Sequence, residues 1–291
     1  MNYLFVSSIL NIIFVTASKH ANNVCKTFPD YYKNLKHNPN CFYNPDIHAT
    51  VQQMIERHGY PFLNYTVVSE DGYVLSLFRI PHGKASTGRK MGRPVFIGHG
   101  MGGSSVHFTF MGNKSLAFNL ADKGYDVWLA NFRGCQYSNK HIFLNENERE
   151  YWNFTFNEVG IYDVPALLDL VVRETRQKVI YIGFSMGTTA SFIYSSEFPE
   201  MASRTIDLMI SLAPIAYLHH ATTPATILSI QPLYDLAKGF LELITNGAVL
   251  RRTPLSLALK TAFCLPYPFQ TTMCFILHYI LFGYDPQQED P

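Results

Sequence analysis

Gly183-Phe184-Ser185-Met186-Gly187 constrains this chain more than any other stretch, because of what stands on either side of it. Before it runs Val179-Ile180-Tyr181-Ile182, which reads as a buried strand. After it comes Thr188-Thr189-Ala190-Ser191-Phe192, which is compatible with a helix. A strand that passes straight into a helix through G-x-S-x-G must turn sharply and under strain. The flanking glycines let helix and strand approach closely, and the hydroxyl of Ser185 stands clear at the tip. That is the placement of a serine nucleophile. A serine hydroxyl is weakly nucleophilic on its own, so the rest of the chain has to be read for charge-stabilising donors and for a base.

A second glycine-rich run supplies candidate donors. Pro94-Val95-Phe96-Ile97-Gly98 reads as a short buried strand and leads into His99-Gly100-Met101-Gly102-Gly103-Ser104-Ser105. A loop of this kind at a strand end frees backbone N–H groups for an oxyanion. A phosphate cradle fits poorly: no Lys-Ser/Thr follows the glycines, and no G-x-G-x-x-G register with a downstream acid is present. Around these two loops, strands and helices alternate. Val51–His58 suits a helix ended by Gly59 and Pro61. Tyr65–Val68 and Tyr73–Ile80 flank Ser69-Glu70-Asp71-Gly72 as a hairpin. Leu116–Lys123 suits a helix stopped by Gly124, and Tyr125–Ala130 a buried strand before a polar loop that runs to Glu150. Residues 158–176 carry Val159, Tyr162, Leu167, Leu170 and Val171 on one helical face, with Pro165 tolerable only in the first turns. A helix then runs from the elbow to Phe198, and Asp207–Pro214 reads as one more strand. Such alternation predicts an α/β fold with parallel β-α units and chemistry at the strand C-termini, where both glycine-containing loops lie.

Composition adds exclusions. In 291 residues, 47% are hydrophobic and only 15% charged, which points to a large buried or lipid-facing surface. A formal charge of +1 argues against a nucleic-acid partner. Leu4–Val15 is too short to span a bilayer, and Val15-Thr16-Ala17 places small residues for cleavage after Ala17, so residues 1–17 read as a signal peptide. Sequons at Asn64, Asn113 and Asn153 agree with a secreted or lysosomal route. Five cysteines leave at least one thiol unpaired. Cys264 and Cys274 bracket Pro266 and Pro268 and are the first candidate pair; Cys25 with Cys41 is a second, which leaves Cys135 over. No spacing resembles a zinc site, and neither a metal nor a cofactor is implied.

Several stretches together resemble the gastric and lysosomal acid lipase family, and particularly its secreted insect members. They are His58-Gly59-Tyr60-Pro61, Glu70-Asp71-Gly72-Tyr73-Val74-Leu75, Arg79-Ile80-Pro81, His99-Gly100, Leu116-Ala117-Phe118, Gly124-Tyr125-Asp126-Val127-Trp128-Leu129, Arg133-Gly134, Trp152-Asn153-Phe154-Thr155, Tyr162-Asp163-Val164-Pro165-Ala166, the elbow itself with Thr188-Thr189, and Ser211-Leu212-Ala213-Pro214. The matches run in order from about residue 45 to 218. The resemblance implies an α/β-hydrolase core over 18–214, with the lipase region of the fold at about 45–105, and a helical cap over 215–291. It implies hydrolysis of neutral lipid esters at a lipid–water interface, without a transmembrane span. Carried onto this chain, Ser185 is the nucleophile, and the backbone N–H groups of Met101 and Met186 form the oxyanion hole. The elbow departs from the family's Gly-His-Ser-Gln-Gly at Phe184 and Met186, and Met101 stands where the family has Leu.

The larger departure concerns the base. In the family the triad acid and histidine follow the cap, on the last core strands, for which this sequence has no counterpart. The chain therefore reads as C-terminally truncated, with those strands missing. After Ser185 the histidines are His219, His220 and His278, and the acids include Asp207, Asp235, Asp285 and Asp290; none lies in a family triad motif, so no base or acid is assigned. The apolar run Cys274–Phe282 reads either as a lid segment that meets lipid or as a buried core helix. Two functions compete: a lipase, and a catalytically silent relative that binds lipid.

Overall fold

The computed structural model describes residues 21–85, 92–217, 230–233, 235–236, 238–239 and 248. They fall into two compact units, one holding residues 21–47 and the other beginning at His48. The signal segment 1–17, His219, His220, His278, Asp285, Asp290 and the candidate pair Cys264 and Cys274 lie outside the described residues.

In the first unit, β1 (Val24–Cys25) pairs antiparallel with β2 (Cys41–Phe42), and Cys25 is disulfide-bonded to Cys41. Asp30 is buried within the 3-10 turn Phe28–Tyr32. Its carboxylate accepts from the Thr27 hydroxyl at 2.6 Å and from the amides of Asn38 and Asn40. This stretch shows no sequence period because a cross-link and one polar hub order it, rather than a stripe of apolar side chains. Cys135 is a free thiol in the second unit.

The second unit opens with α1 (Val51–Arg57), capped by reciprocal Thr50 and Gln53 bonds and ended at Gly59, whose φ is +82°. The strands are β3 (Leu63–Val68), β4 (Tyr73–Ile80), β5 (Pro94–Gly98), β6 (Asp126–Asn131), β7 (Lys140–His141), β8 (Val179–Phe184) and β9 (Ile206–Leu212). The longer helices are α2 (Leu116–Asp122), α3 (Val164–Thr175), α4 (Met186–Glu197) and α5 (Pro199–Thr205). Strand order is β3-β4-β6-β5-β8-β9, with β7 added to β4. Pairing is antiparallel from β3 to β6 and parallel from β6 to β9.

Alternation along the central strands builds two cores. Val95, Ile97, Val127, Leu129, Ile180 and Ile182 point to one face, where α1 and α2 bring Val51, Met54, Ile55, Ala117 and Phe118. Phe96, Trp128, Ala130, Val179 and Tyr181 point to the other, against Leu167, Leu168 and Val171 of α3 and Ala190 and Tyr194 of α4. Strands β5 and β6 are buried along their whole length, as a sheet covered on both faces requires.

Three details depart from the sequence reading. The polar loop before Glu150 contributes β7, only two residues long and so without a legible period. The helix expected over 158–176 is interrupted: a π-helical turn, Val159–Asp163, precedes α3, and the Val164 N–H bonds five residues back to Val159. Pro165 lacks an N–H and its ring presses on the carbonyl four residues earlier, which a widened turn relieves. Pro199 ends α4 as expected but also starts α5, the first-turn position that proline favours.

Candidate active site

The parallel register sets the site. Gly98 at the end of β5 pairs with Gly183 near the end of β8, so the segments that follow both strands leave the sheet side by side. One of them is the elbow. Ser185 has φ +51° and ψ −117°, a strained conformation for a residue with a Cβ. It is held there from both sides. Its N–H donates to Leu212 O at 3.0 Å, while its carbonyl accepts from the Thr188 N–H at 2.8 Å and from the Thr188 hydroxyl at 2.6 Å. A Cβ on Gly183 would stand 2.8 Å from Gly187 O, so the turn is too tight for any larger residue there.

The second segment, His99–Gly103, passes directly over the elbow. A Cβ on Gly100 would meet the Phe184 ring at 3.1 Å and Ser185 Cβ at 3.2 Å. Gly103 N–H bonds back to Gly100 O, and Gly102 takes φ +68°, which closes the loop into a turn around Met101. The Met101 side chain is half exposed, and that of Met186 is buried. Among the described residues neither amide N–H has a hydrogen-bond partner. The Met186 amide is free because it opens α4, whose first N–H groups have no intrahelical acceptor. One unused donor thus follows Ser185 directly in the chain, and the other follows Gly100, which packs against Ser185.

Three side chains to which the sequence assigns no role hold this loop. His99 is buried, with Nδ1 2.8 Å from Gly100 O and Nε2 3.0 Å from the Phe132 N–H. An N–H can only donate, so Nε2 accepts and Nδ1 carries the proton: the ring is neutral and bridges the loop to the end of β6. Asn131 Oδ1 accepts from both the N–H and the hydroxyl of Ser105, at 3.1 and 2.9 Å. The His107 ring packs over Gly103 and meets Phe184 edge-on, with centroids 6.3 Å apart.

His99 also sets a pH dependence. Burial pushes it down to about 4 from an ordinary 6.5, against the carbonyl of Gly100. The unfolded chain takes up this proton first as the pH falls. His99 therefore contributes its full stability above pH 6.5, and the contribution is lost between pH 6.5 and 4, by about 3 kcal/mol. Urea midpoints followed across that window should fall for the parent and fall less for His99→Asn, which begins less stable at neutral pH by about 2 kcal/mol for its lost bonds. Parallel curves for the two proteins would remove His99 as the cause.

No base is assembled among the described residues. Ser185 Oγ makes no hydrogen bond to another described residue. His99 has both nitrogens committed. Asp207 is ion-paired to Arg93 at the start of β9, five residues before the Leu212 that contacts Ser185, or roughly 16 Å along the strand. Asn64, Asn113 and Asn153, the sequon asparagines, are all exposed.

The family described as a partial α/β-hydrolase lipase region matches residues 51–112, and the family described as the α/β hydrolase fold matches residues 93–237. Human lipase member K is 35% identical over 248 residues, covering 84% of this chain and 60% of that protein. Mouse gastric triacylglycerol lipase is 42% identical over 196 residues, covering 66% of this chain and 49% of that protein. The chain thus spans about half to three fifths of the length of these relatives. Among solved structures, an esterase from Pyrococcus furiosus superposes with a TM-score of 0.44 at 21% identity, over 65% of this chain and 64% of that one. No helix among the described residues is long and apolar enough to cross a membrane.

Proposed function

We propose an activity for a chain that belongs to the acid lipase family: hydrolysis of neutral lipid esters, triacylglycerols or cholesteryl esters, through an acyl-enzyme on Ser185. The observation that carries this reading is the strained serine at the β8–α4 turn, with Gly100 packed against it and with the amides that follow Gly100 and Ser185 in the chain unused. Attack of Ser185 Oγ on the ester carbonyl turns that oxygen into an oxyanion. The Met101 and Met186 N–H groups receive its charge without reorganising, because His99 and Asn131 hold the loop and α4 holds the other donor. The alcohol leaves, and water then releases the fatty acid. The proton acceptor for Ser185 is not assigned to a residue of this chain.

That gap sustains a second reading, a lipid-binding relative without turnover, because Ser185 Oγ has no partner among the described residues. An oxyanion hole without a base retains only residual rate. The two readings separate in one experiment, exposure of the purified chain to a fluorophosphonate probe followed by peptide mass mapping. A hydrolase forms the adduct on Ser185 rapidly. A chain that binds a fluorescent fatty-acyl probe but stays unlabelled is the silent relative. The secretory route, with the Cys25–Cys41 disulfide and the exposed sequon asparagines in its support, predicts an endoglycosidase-sensitive product when the chain is expressed in secreting cells.

A further inference from the structure

The most exposed large apolar side chain among the described residues has no place in the site above. Phe143 is 87% exposed and its neighbour Ile142 51% exposed. Single exposed apolar residues are ordinary; these two are held rigidly. His141 Nδ1 lies 3.0 Å from both the Phe143 and the Leu144 N–H, so it accepts from both. Nε2 therefore carries the proton and donates to Asp71 O at 2.8 Å. Ile142 N–H bonds to Gly72 O, and a Cβ on Gly72 would stand 2.8 Å from the His141 ring and 2.9 Å from Ile142. Strand β7 pairs Tyr73 with His141, and the Tyr73 ring meets the histidine edge-on. The tip is a built projection and costs little ordering entropy when something covers it.

Its position follows from strand register. Ser76 of β4 pairs with Asn131 at the end of β6, so Tyr73 and its partner His141 stand about 10 Å beyond the level at which β6 ends. That is the end of the sheet from which His99–Gly103 and Ser185 also leave. Met101, Phe110 and Met111, in the loops that leave the same end, are exposed as well.

We propose that Ile142 and Phe143 form an anchor by which this chain docks on an uncharged lipid surface, with Ser185 on the same side; the proposal rests on the lipase reading for the lipid it approaches. Shape and charge select this partner. The tip is convex and two residues wide, far below the roughly 1,200 Å² that a specific protein partner buries, whereas a fluid lipid surface accepts a protruding ring without a matching pocket. Residues 140–150 carry two basic and three acidic side chains, Lys140 and Arg149 against Glu146, Glu148 and Glu150, so the loop has no electrostatic attraction to anionic headgroups.

Flotation with phosphatidylcholine-coated triolein emulsions tests this, with the full chain carrying Ser185→Ala so that turnover does not change the lipid. Phe143→Ser should weaken partitioning about 10-fold, and Ile142→Ser with Phe143→Ser about 100-fold, as expected for withdrawing one or two buried apolar side chains. Phe143→Trp should retain binding and shift its fluorescence to the blue on adding emulsion. Urea midpoints of all variants should match the parent, since neither side chain is buried in the fold. Replacing part of the phosphatidylcholine with phosphatidylserine should not strengthen binding. The proposal is overturned if the double variant floats like the parent, if anionic lipid is required, or if Phe143→Ser alters self-association and leaves flotation unchanged. A parent chain that fluorophosphonate does not label, but whose Ser185→Ala form floats in a Phe143-dependent way, retains the anchor and loses the enzyme, so the two readings fail separately.

Discussion

Replacing Gly187 with alanine is expected to destabilise the fold by about 3 kcal/mol and to abolish labelling of Ser185. Two effects oppose each other. Gly187 lies in the first turn of α4, where alanine gains up to about 1 kcal/mol of helix propensity. Against this, the new Cβ would stand 2.4 Å from Gly98 O and 2.8 Å from Gly98 C, backbone atoms at the end of β5, an inner strand of the sheet. A side chain can rotate away from such an overlap; a β5 carbonyl cannot. Helix and strand must separate, and overpacking of that kind costs up to about 3 kcal/mol or more. The same separation moves Ser185 away from Gly100 and opens the pair of amides, so the chemical effect exceeds the loss of stability. Gly124→Ala is the control. Its φ is +86°, but no atom lies within 4 Å of the new Cβ, so it should cost only about 1 kcal/mol and leave labelling intact. If Gly187→Ala unfolds at the parent's urea concentration, close helix–strand packing does not support the elbow.

Glycine spacing made this turn legible, because its requirement is local: a strand, five residues and a helix suffice to state it. The hairpin at Asp71-Gly72, the stop at Gly124 and the apolar runs within strands β5 and β6 were readable for the same reason. The supports of the site were not. His99 reaches 33 residues to Phe132, and Asn131 reaches 26 residues back to Ser105. Nothing in the local sequence of either residue marks a partner that distant. The anchor loop was missed because β7 is two residues long, too short for alternation to appear, and because its stiffness comes from which nitrogen of His141 accepts. The cysteines show the limit differently. Spacing favoured Cys264 with Cys274, outside the described residues, while the Cys25–Cys41 bond arises from a pairing of two-residue strands that no periodicity announces.

Replacement of Arg133 by methionine should cost about 3–5 kcal/mol of stability. The Arg133 side chain is fully buried and bonds to two carboxylates. Its N–H and Nε donate to Asp163 at 2.8 Å each, and its two terminal nitrogens donate to Asp71 at 2.6 and 2.8 Å. The guanidinium also lies 4.0 Å over the Tyr73 ring. One cation thereby ties the β3–β4 hairpin, the end of β6 and the π-helical turn before α3. Methionine keeps most of the apolar contact, so the cost is almost wholly that of two carboxylates left in a site shaped for ions. It follows that Arg133→Met with Asp71→Asn and Asp163→Asn should be more stable than Arg133→Met alone, although it has lost more hydrogen bonds. The sign with pH is also fixed. Burial pushes the Asp163 carboxyl upward, and without the Arg133 guanidinium only the backbone N–H of residue 133 is left to offset that push. A carboxyl raised in the folded state contributes most at low pH, so the single variant should regain stability relative to the parent as the pH falls toward 4, while His99 takes the same loss from both. Urea midpoints at pH 7 and pH 4.5 for the three proteins measure both effects, and a single variant whose midpoint falls with pH as the parent's does would show that the carboxylates are not what Arg133 holds in place.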